Sequence, residues 1–274
     1  MKSERCINFR ELGGYLTITN KKIKKGKLLR SGAHHQCKEI DKAFLSSLAI
    51  DTIIDLRGNK ERALETTNLQ LFSQNNSNII NHIFWDYDLN FDIKTLIQNA
   101  ENNPETLIEK VDRLYIDFYS KLPFEFGPRL SKLFDELKLG KTILFHCSAG
   151  KDRTGFIAFI LLSILEVDYK IIMQDYLLSD ACHNRRQIMV PSDNKEIKTE
   201  EEMLSSSINP IGKIPEKLSR ALAGVKSEYL DKARITIKKE FGSVLEYVKH
   251  FTNITDNELG LIRNHYLCEL GSIL

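Results

Sequence analysis

A cysteine followed six residues later by an arginine, set between two apolar runs, constrains this chain more than any other feature. The stretch reads His146-Cys147-Ser148-Ala149-Gly150-Lys151-Asp152-Arg153-Thr154-Gly155. Upstream, Thr142, Ile143, Leu144 and Phe145 form a short run of strand formers, which reads as a strand buried on both faces. Downstream, Phe156 to Leu165 is apolar nearly all round and predicts a buried helix. Strand, tight loop and helix together present backbone N–H groups and a helix dipole to an anion. Gly150 lets the backbone curl where a side chain would interfere, and Gly155 permits close packing in the first turn of the helix.

Such a loop is a cradle for a phosphate dianion, with Ser148, Ala149, Gly150, Lys151, Asp152 and Arg153 around it and Cys147 at its base. A free thiol has a pKa of about 8.5, and a helix N-terminus or nearby cations lower it. The expected species at neutral pH is the thiolate, the form that attacks phosphorus. Arg153 supplies a planar fork for two phosphate oxygens, and its charge matters most in the transition state. Lys151 is expected to add a second cation at the rim. His146 is expected to support the loop, and Thr154 to donate its hydroxyl to the thiolate or to the loop backbone. A cysteine at a strand end is more often a small core residue. Three charges crowded just before a buried helix, however, need an anion or solvent, and that favours the catalytic reading.

The loop resembles the C-x5-R signature of the protein tyrosine phosphatase superfamily. Its Lys151-Asp152-Arg153 ending is similar to that of a narrower group, the atypical bacterial tyrosine-protein phosphatases that also accept phosphoinositides. Further segments resemble the same group: Asn8-Phe9-Arg10-Glu11-Leu12-Gly13-Gly14-Tyr15, Leu29-Arg30-Ser31-Gly32, Ile54-Asp55-Leu56-Arg57 with Glu61, Gly224 to Leu230, and Phe241-Gly242-Ser243 through Tyr247. The resemblance spans nearly the whole chain. It implies an α/β fold with a mostly parallel central sheet flanked by helices, and a ping-pong mechanism that needs no metal or cofactor. It also implies tolerance of phosphotyrosine, phosphoserine/threonine and phosphoinositides. By position, Cys147 is the implied nucleophile and Arg153 the implied phosphate clamp.

The chain has 274 residues, enough for one sizeable phosphatase domain over 1–274. Its hydrophobic content of 42%, charged content of 28% and net charge of +2 are those of an ordinary globular protein, and give no reason to expect nucleic acid as a partner. A phosphorylated protein or a phosphoinositide is the expected partner. No apolar stretch is long enough to span a bilayer, which leaves transient contact with a membrane surface. The first residues, Met1-Lys2-Ser3-Glu4-Arg5, lack the apolar core of a signal peptide, so the expected location is the cytoplasm, or outside the cell by a route that needs none. Cys6, Cys37, Cys182 and Cys268 are scattered without zinc spacing, and the odd cysteine total fits a reducing compartment.

Along the chain, Tyr15 to Ile18 and Lys27 to Arg30 read as strands around a lysine-rich turn, Asn20 to Gly26. A short helix through Phe44 and Leu48 leads to the buried strand Thr52-Ile53-Ile54, and Asn81 to Phe84 is a further strand. Leu107 to Leu122 has helical periodicity that Pro123 is expected to stop. A second helix runs from Leu130 to Leu137, with Gly140 closing it. Tyr169 to Ser179 predicts another helix. Residues 185–224 are polar and proline-punctuated, an expected lid-like excursion over the site. Ser243-x-x-Glu246 and Thr255-x-x-Glu258 fit capping boxes that open two terminal helices.

The leaving oxygen needs a general acid. Asp152 ranks first, because like charge from a bound dianion raises a carboxyl pKa; Asp86, Asp88 and Asp55 are alternatives. Asp55 is also expected either to hydrogen-bond within the loop network or to hold Arg57, and Arg57 to pair with Glu61 one helical turn on rather than touch substrate. The favoured function is a cysteine-dependent phosphatase. A primarily phosphoinositide-directed enzyme and a rhodanese-like sulfurtransferase remain as alternatives.

Overall fold

The computed structural model describes residues 7–34, 37, 39–73, 79–88, 104–188 and 221–270. Its centre is a five-stranded sheet built from β1 (Arg10–Glu11), β3 (Leu28–Ser31), β4 (Thr52–Asp55), β5 (Asn81–Phe84) and β6 (Ile143–His146). The strand order is β1-β3-β6-β4-β5; β1 is antiparallel and the other neighbours are parallel. Fully buried Val/Ile/Leu-type strands at the centre follow from helices covering both faces. β3, β4 and β6 are buried at every position.

The helices are α1 (Lys42–Ser47), α2 (Asn59–Leu64), α3 (Pro104–Phe126), α4 (Leu130–Lys138), α5 (Asp152–Ile164), α6 (Tyr169–Ile188), α7 (Ser227–Phe241), α8 (Val244–Thr252) and α9 (Asp256–Tyr266). α5 is apolar all round because it lies in the interior: eleven of its residues are buried. It sits in the larger of two core clusters, with α3, α4 and the C-terminal helices. The smaller cluster, with Leu45, Ile53, Phe72 and Leu144, covers the opposite face.

Three expectations are corrected. Tyr15 to Ile18 is not a strand: Leu16 and Thr17 form isolated bridges, to Lys22 and to Val167. The lysine-rich segment is not only a turn: it contains β2 (Lys21–Ile23), which pairs antiparallel with β7 (Leu267–Glu269). Its partner lies near the other end of the chain, so no local signal announces it. Pro123 does not stop α3, which continues to Phe126. The buried Pro123 carbonyl accepts a hydrogen bond of 2.8 Å from the Tyr247 hydroxyl on α8, so packing against that helix carries the chain through the proline. The capping-box expectation is met in full at Thr255, where the box with Glu258 is complete, and in half at Ser243, whose side chain accepts the Glu246 N–H. Most of the expected excursion, residues 189–220, lies outside the described residues, as does Cys6.

The topology positions the site. Parallel strands end at one edge of the sheet, and ligands bind beyond that carboxyl edge in open α/β sheets. Here β3, β4, β5 and β6 deliver Gly32, Leu56, Trp85 and Cys147 to the same edge. The first turns of α5 are held there by aromatic packing, with Phe156 against Phe126 at 5.9 Å and Tyr247 at 6.5 Å between ring centroids. Phe156→Ala is expected to lower stability by about 3–5 kcal/mol, measured as a shifted urea midpoint with an unchanged slope.

Candidate active site

β6 ends at His146, and Cys147 begins the loop that reaches α5. Gly150 has φ +68°, and a Cβ there would lie 2.4 Å from the Gly32 nitrogen and 2.5 Å from the Ser31 carbonyl carbon. Only glycine meets both demands. The loop carbonyls are drawn outwards one after another. The Ala33 N–H donates to the Ser148 carbonyl at 2.9 Å. The Asn8 amide donates to the Gly150 carbonyl at 2.7 Å and is 3.5 Å from that of Ala149. Arg30 Nη2 also donates to the Gly150 carbonyl, at 2.9 Å. A backbone whose carbonyls are drawn out turns its N–H groups inwards, the concavity that binds anions.

The groups doing this work are themselves fixed by a buried carboxylate. Asp175 on α6 accepts from Arg30 Nη1 at 2.5 Å and from Arg10 Nε at 2.8 Å, and Tyr15 donates to it at 3.0 Å. Arg10 also bonds both Asn8 oxygens. Burial opposes the charge on Asp175, but the two guanidiniums hold its carboxyl below the usual range. Burial and the neighbouring Arg10 push Arg30 down to about 10, with Asp175 opposing, so Arg30 is still a cation at neutral pH.

Arg153, in the first turn of α5, is buried. Its fork grips Glu61 through both nitrogens, Nη1 to Oε2 at 2.5 Å and Nη2 to Oε1 at 2.7 Å. This is the bidentate arrangement that best fixes a guanidinium. Nη1 also lies 3.3 Å from the Leu56 carbonyl and 3.4 Å from the Tyr87 hydroxyl. Glu61 accepts the Ser148 hydroxyl at 2.5 Å and the Gly58 N–H at 2.8 Å. Burial opposes ionisation of Glu61, but Arg153 and these donors outweigh it and hold its carboxyl at about 2. Cys147 is buried, and its charge when ionised acts favourably on both Arg153 and Arg30.

The expected pairing of Arg57 with Glu61 is therefore corrected: Glu61 belongs to Arg153. Arg57 forks onto Asp55, with Nε to Oδ1 at 2.9 Å and Nη2 to Oδ2 at 2.7 Å, and ties Thr67 and the Glu65 carbonyl. Asp55 holds Arg57 as expected. It is fully buried and lies 3.7 Å from His146 Nε2. Burial opposes the charge on Asp55, but His146, His82 and Arg57 keep it far below the usual range, so it is no proton donor. Burial pushes the His146 imidazole down to about 4, with Asp55 opposing, which leaves it neutral beneath the loop.

Asp86 and Asp88 are exposed, on either side of Tyr87. Asp86 accepts from the Asn59 amide at 2.6 Å, and Asp88 accepts the Lys60 N–H at 3.1 Å, so both serve the start of α2. Asp152, in the first turn of α5, accepts the Tyr119 hydroxyl at 2.8 Å; Tyr119 in turn lies 2.8 Å from the Tyr176 hydroxyl. Lys151 is not at the rim. It is buried, with its ammonium turned into the protein. Thr154 is buried and its hydroxyl has no hydrogen-bond partner among the described residues, so the loop backbone does not take it.

The residues that the sequence reading did not single out by chemistry are Glu61 as partner of Arg153, Tyr87, and the Asn8–Arg10–Arg30–Asp175 network. Asn8, Arg10, Arg30 and Glu61 did fall within the segments that carry the family resemblance.

A buried cysteine and a buried arginine six residues on, beyond the carboxyl edge of a parallel sheet, stand where the C-x5-R resemblance puts them. The model of the tyrosine phosphatase family matches residues 1–268, and the chain belongs to that family as a protein-tyrosine phosphatase. A Cupriavidus necator protein assigned by name to the tyrosine-protein phosphatases is 26% identical over 260 residues, covering 95% of this chain and 85% of its own. The triple specificity protein phosphatase PtpB of Mycobacterium tuberculosis is 28% identical over 262 residues, covering 88% of this chain and 90% of its own. The crystal structure of Pseudomonas aeruginosa TpbA aligns over 65% of this chain and 81% of its own, at 12% identity and a TM-score of 0.29, too low to add to the argument. No helix among the described residues is long and apolar enough to cross a membrane.

Two outcomes test this geometry. Gly150→Ala should abolish binding of inorganic vanadate, read by calorimetry, because the added Cβ meets the backbone at Ser31 and Gly32. Glu61→Gln should lose stability relative to wild type at neutral pH. Because the Glu61 carboxyl is depressed to about 2, its contribution is complete above the unfolded value of about 4.3 and is lost as pH falls through 2. The difference in urea midpoint between the two proteins should therefore be constant from pH 8 to about 5 and shrink below that.

Proposed function

We propose that the chain hydrolyses phosphate monoesters through a phosphocysteine on Cys147. The observation that carries this reading is the pairing of a loop stripped of inward carbonyls with a guanidinium preset by Glu61. In the first step the Cys147 thiolate attacks phosphorus, the bond from phosphorus to the ester oxygen breaks, and the leaving oxygen takes a proton from Asp152. In the second, Asp152 takes a proton from water, the oxygen of that water attacks phosphorus, and the sulfur leaves as thiolate with inorganic phosphate released. The amide groups of Ser148 to Arg153 and the Arg153 fork stabilise charge on the equatorial oxygens in both steps. Asp152 is favoured as the acid because Asp55 is buried as a carboxylate, while Asp86 and Asp88 are engaged at α2. The Thr154 hydroxyl, at the start of α5 and without a partner among the described residues, suits stabilisation of the departing thiolate.

Phosphotyrosine is the first substrate class in this reading, with phosphoserine/threonine and phosphoinositides beside it. The triple specificity in the name of the mycobacterial relative supports that breadth. The sulfurtransferase alternative finds no support in a loop whose arginine and amides are organised for an oxyanion. Cys147→Ser should retain vanadate binding within about tenfold and lose turnover of phosphotyrosine peptides by at least about 10⁴; turnover near wild type in that variant would falsify the covalent step. Asp152→Asn should slow esters with poor leaving groups more than aryl esters with good ones. Equal slowing across a leaving-group series removes Asp152 as the acid.

A further inference from the structure

Lys151 is the residue whose position departs most from what its place in the loop suggests. Its backbone caps the start of α5, and its carbonyl accepts the Gly155 N–H at 2.8 Å. Its side chain runs the other way. The ammonium donates to the carbonyls of Leu222 at 2.6 Å and Gly224 at 3.1 Å, and lies 3.4 Å from that of Ala223. It also lies 3.2 Å from the Tyr115 hydroxyl and 4.8 Å from the centre of the Tyr115 ring. The Asp152 carboxylate is 3.6 Å away.

These acceptors belong to one place. Residues 221–223 are helical, and their carbonyls, with that of Gly224, form the negative end of the turn. Tyr115 on α3 donates to the Leu222 carbonyl at 2.7 Å and stacks on Tyr229 of α7 at 4.8 Å. Asp112 on α3 holds Lys226 at 2.6 Å and the Tyr229 hydroxyl at 2.5 Å. A buried ammonium with three carbonyl dipoles, an aromatic face and a carboxylate around it is fully solvated by protein. Turning it towards a substrate phosphate would take the ammonium from all three carbonyls and leave Leu222 with the Tyr115 hydroxyl alone.

We propose that Lys151 is a positioning residue: it clamps residues 222–224 to the start of α5 and so holds the neighbouring Asp152, rather than selecting substrates by contact with a second phosphate. The proposal rests on the phosphatase reading above for its kinetic arm only. Its physical consequence is that the loss of this cation slows every substrate alike. A rim cation would instead favour multiply phosphorylated headgroups selectively.

The test uses the full chain as wild type, Lys151→Met and Tyr115→Phe. Hydrogen exchange is read on the amides of residues 222–226. Initial rates are read on p-nitrophenyl phosphate and on vesicles carrying a phosphatidylinositol monophosphate or bisphosphate. In Lys151→Met the expected results are exchange at least tenfold faster, kcat lowered about tenfold on every substrate turned over, and KM within twofold of wild type. The ratio of kcat/KM between bisphosphate and monophosphate should also stay within twofold. Tyr115→Phe, which keeps the lysine, should show the same pattern at smaller size and stands in if Lys151→Met does not fold. Unchanged exchange in both variants, or unchanged kcat with faster exchange, overturns the clamp. So does a bisphosphate to monophosphate ratio that falls tenfold in Lys151→Met. If wild type turns over no phosphate ester, the phosphatase reading fails, and the exchange arm still decides whether the clamp exists.

Discussion

The whole site depends on one buried carboxylate, Asp175, and the two guanidiniums that share it. Two guanidiniums brought together inside the protein need an anion between them, and Asp175 supplies it from α6. In return Arg30 and, through Arg10, Asn8 pull the Gly150 carbonyl away from the hollow of the loop. A buried ion pair is a weak source of net stability, because desolvation cancels much of the attraction. What it supplies here is direction: the loop amides face inwards because their carbonyls have partners outside.

A second pair fixes the opposite wall. Glu61 grips Arg153 through both nitrogens while itself taking the Gly58 N–H and the Ser148 hydroxyl. Preorganisation of this kind removes the cost of ordering a long side chain during the reaction. The same carboxylate marks where negative charge is welcome. Below the loop, Asp55 keeps Arg57 in place and faces a neutral His146. Charged groups thus surround the loop on three sides, and each is paired before any substrate arrives.

Much of this was legible along the chain. The strand, loop and helix around Cys147 follow from two apolar runs and a glycine at the point of steric contact, and the parallel sheet follows from alternating strands and helices. Asp55 holding Arg57 is a local contact, two residues apart, and the caps at Ser243 and Thr255 are four-residue patterns. The misplacements have one cause in common: a partner distant in sequence. β2 needs β7, and Pro123 stays helical because of Tyr247. Glu61 pairs with Arg153 rather than the nearer Arg57, since the fully buried Asp55 has already taken Arg57.

Lys151 shows where the boundary lies. The residues themselves determined a nucleophile, an arginine fork and a glycine turn at fixed spacing, because that chemistry is confined to seven consecutive positions and the backbone between them has few ways to close. Which way the lysine in the same stretch points is not a local property. Only the tertiary structure decided it, by bringing three carbonyls from residues 222–224 and the Tyr115 ring to a place where a buried ammonium is better solvated than at the mouth of the loop.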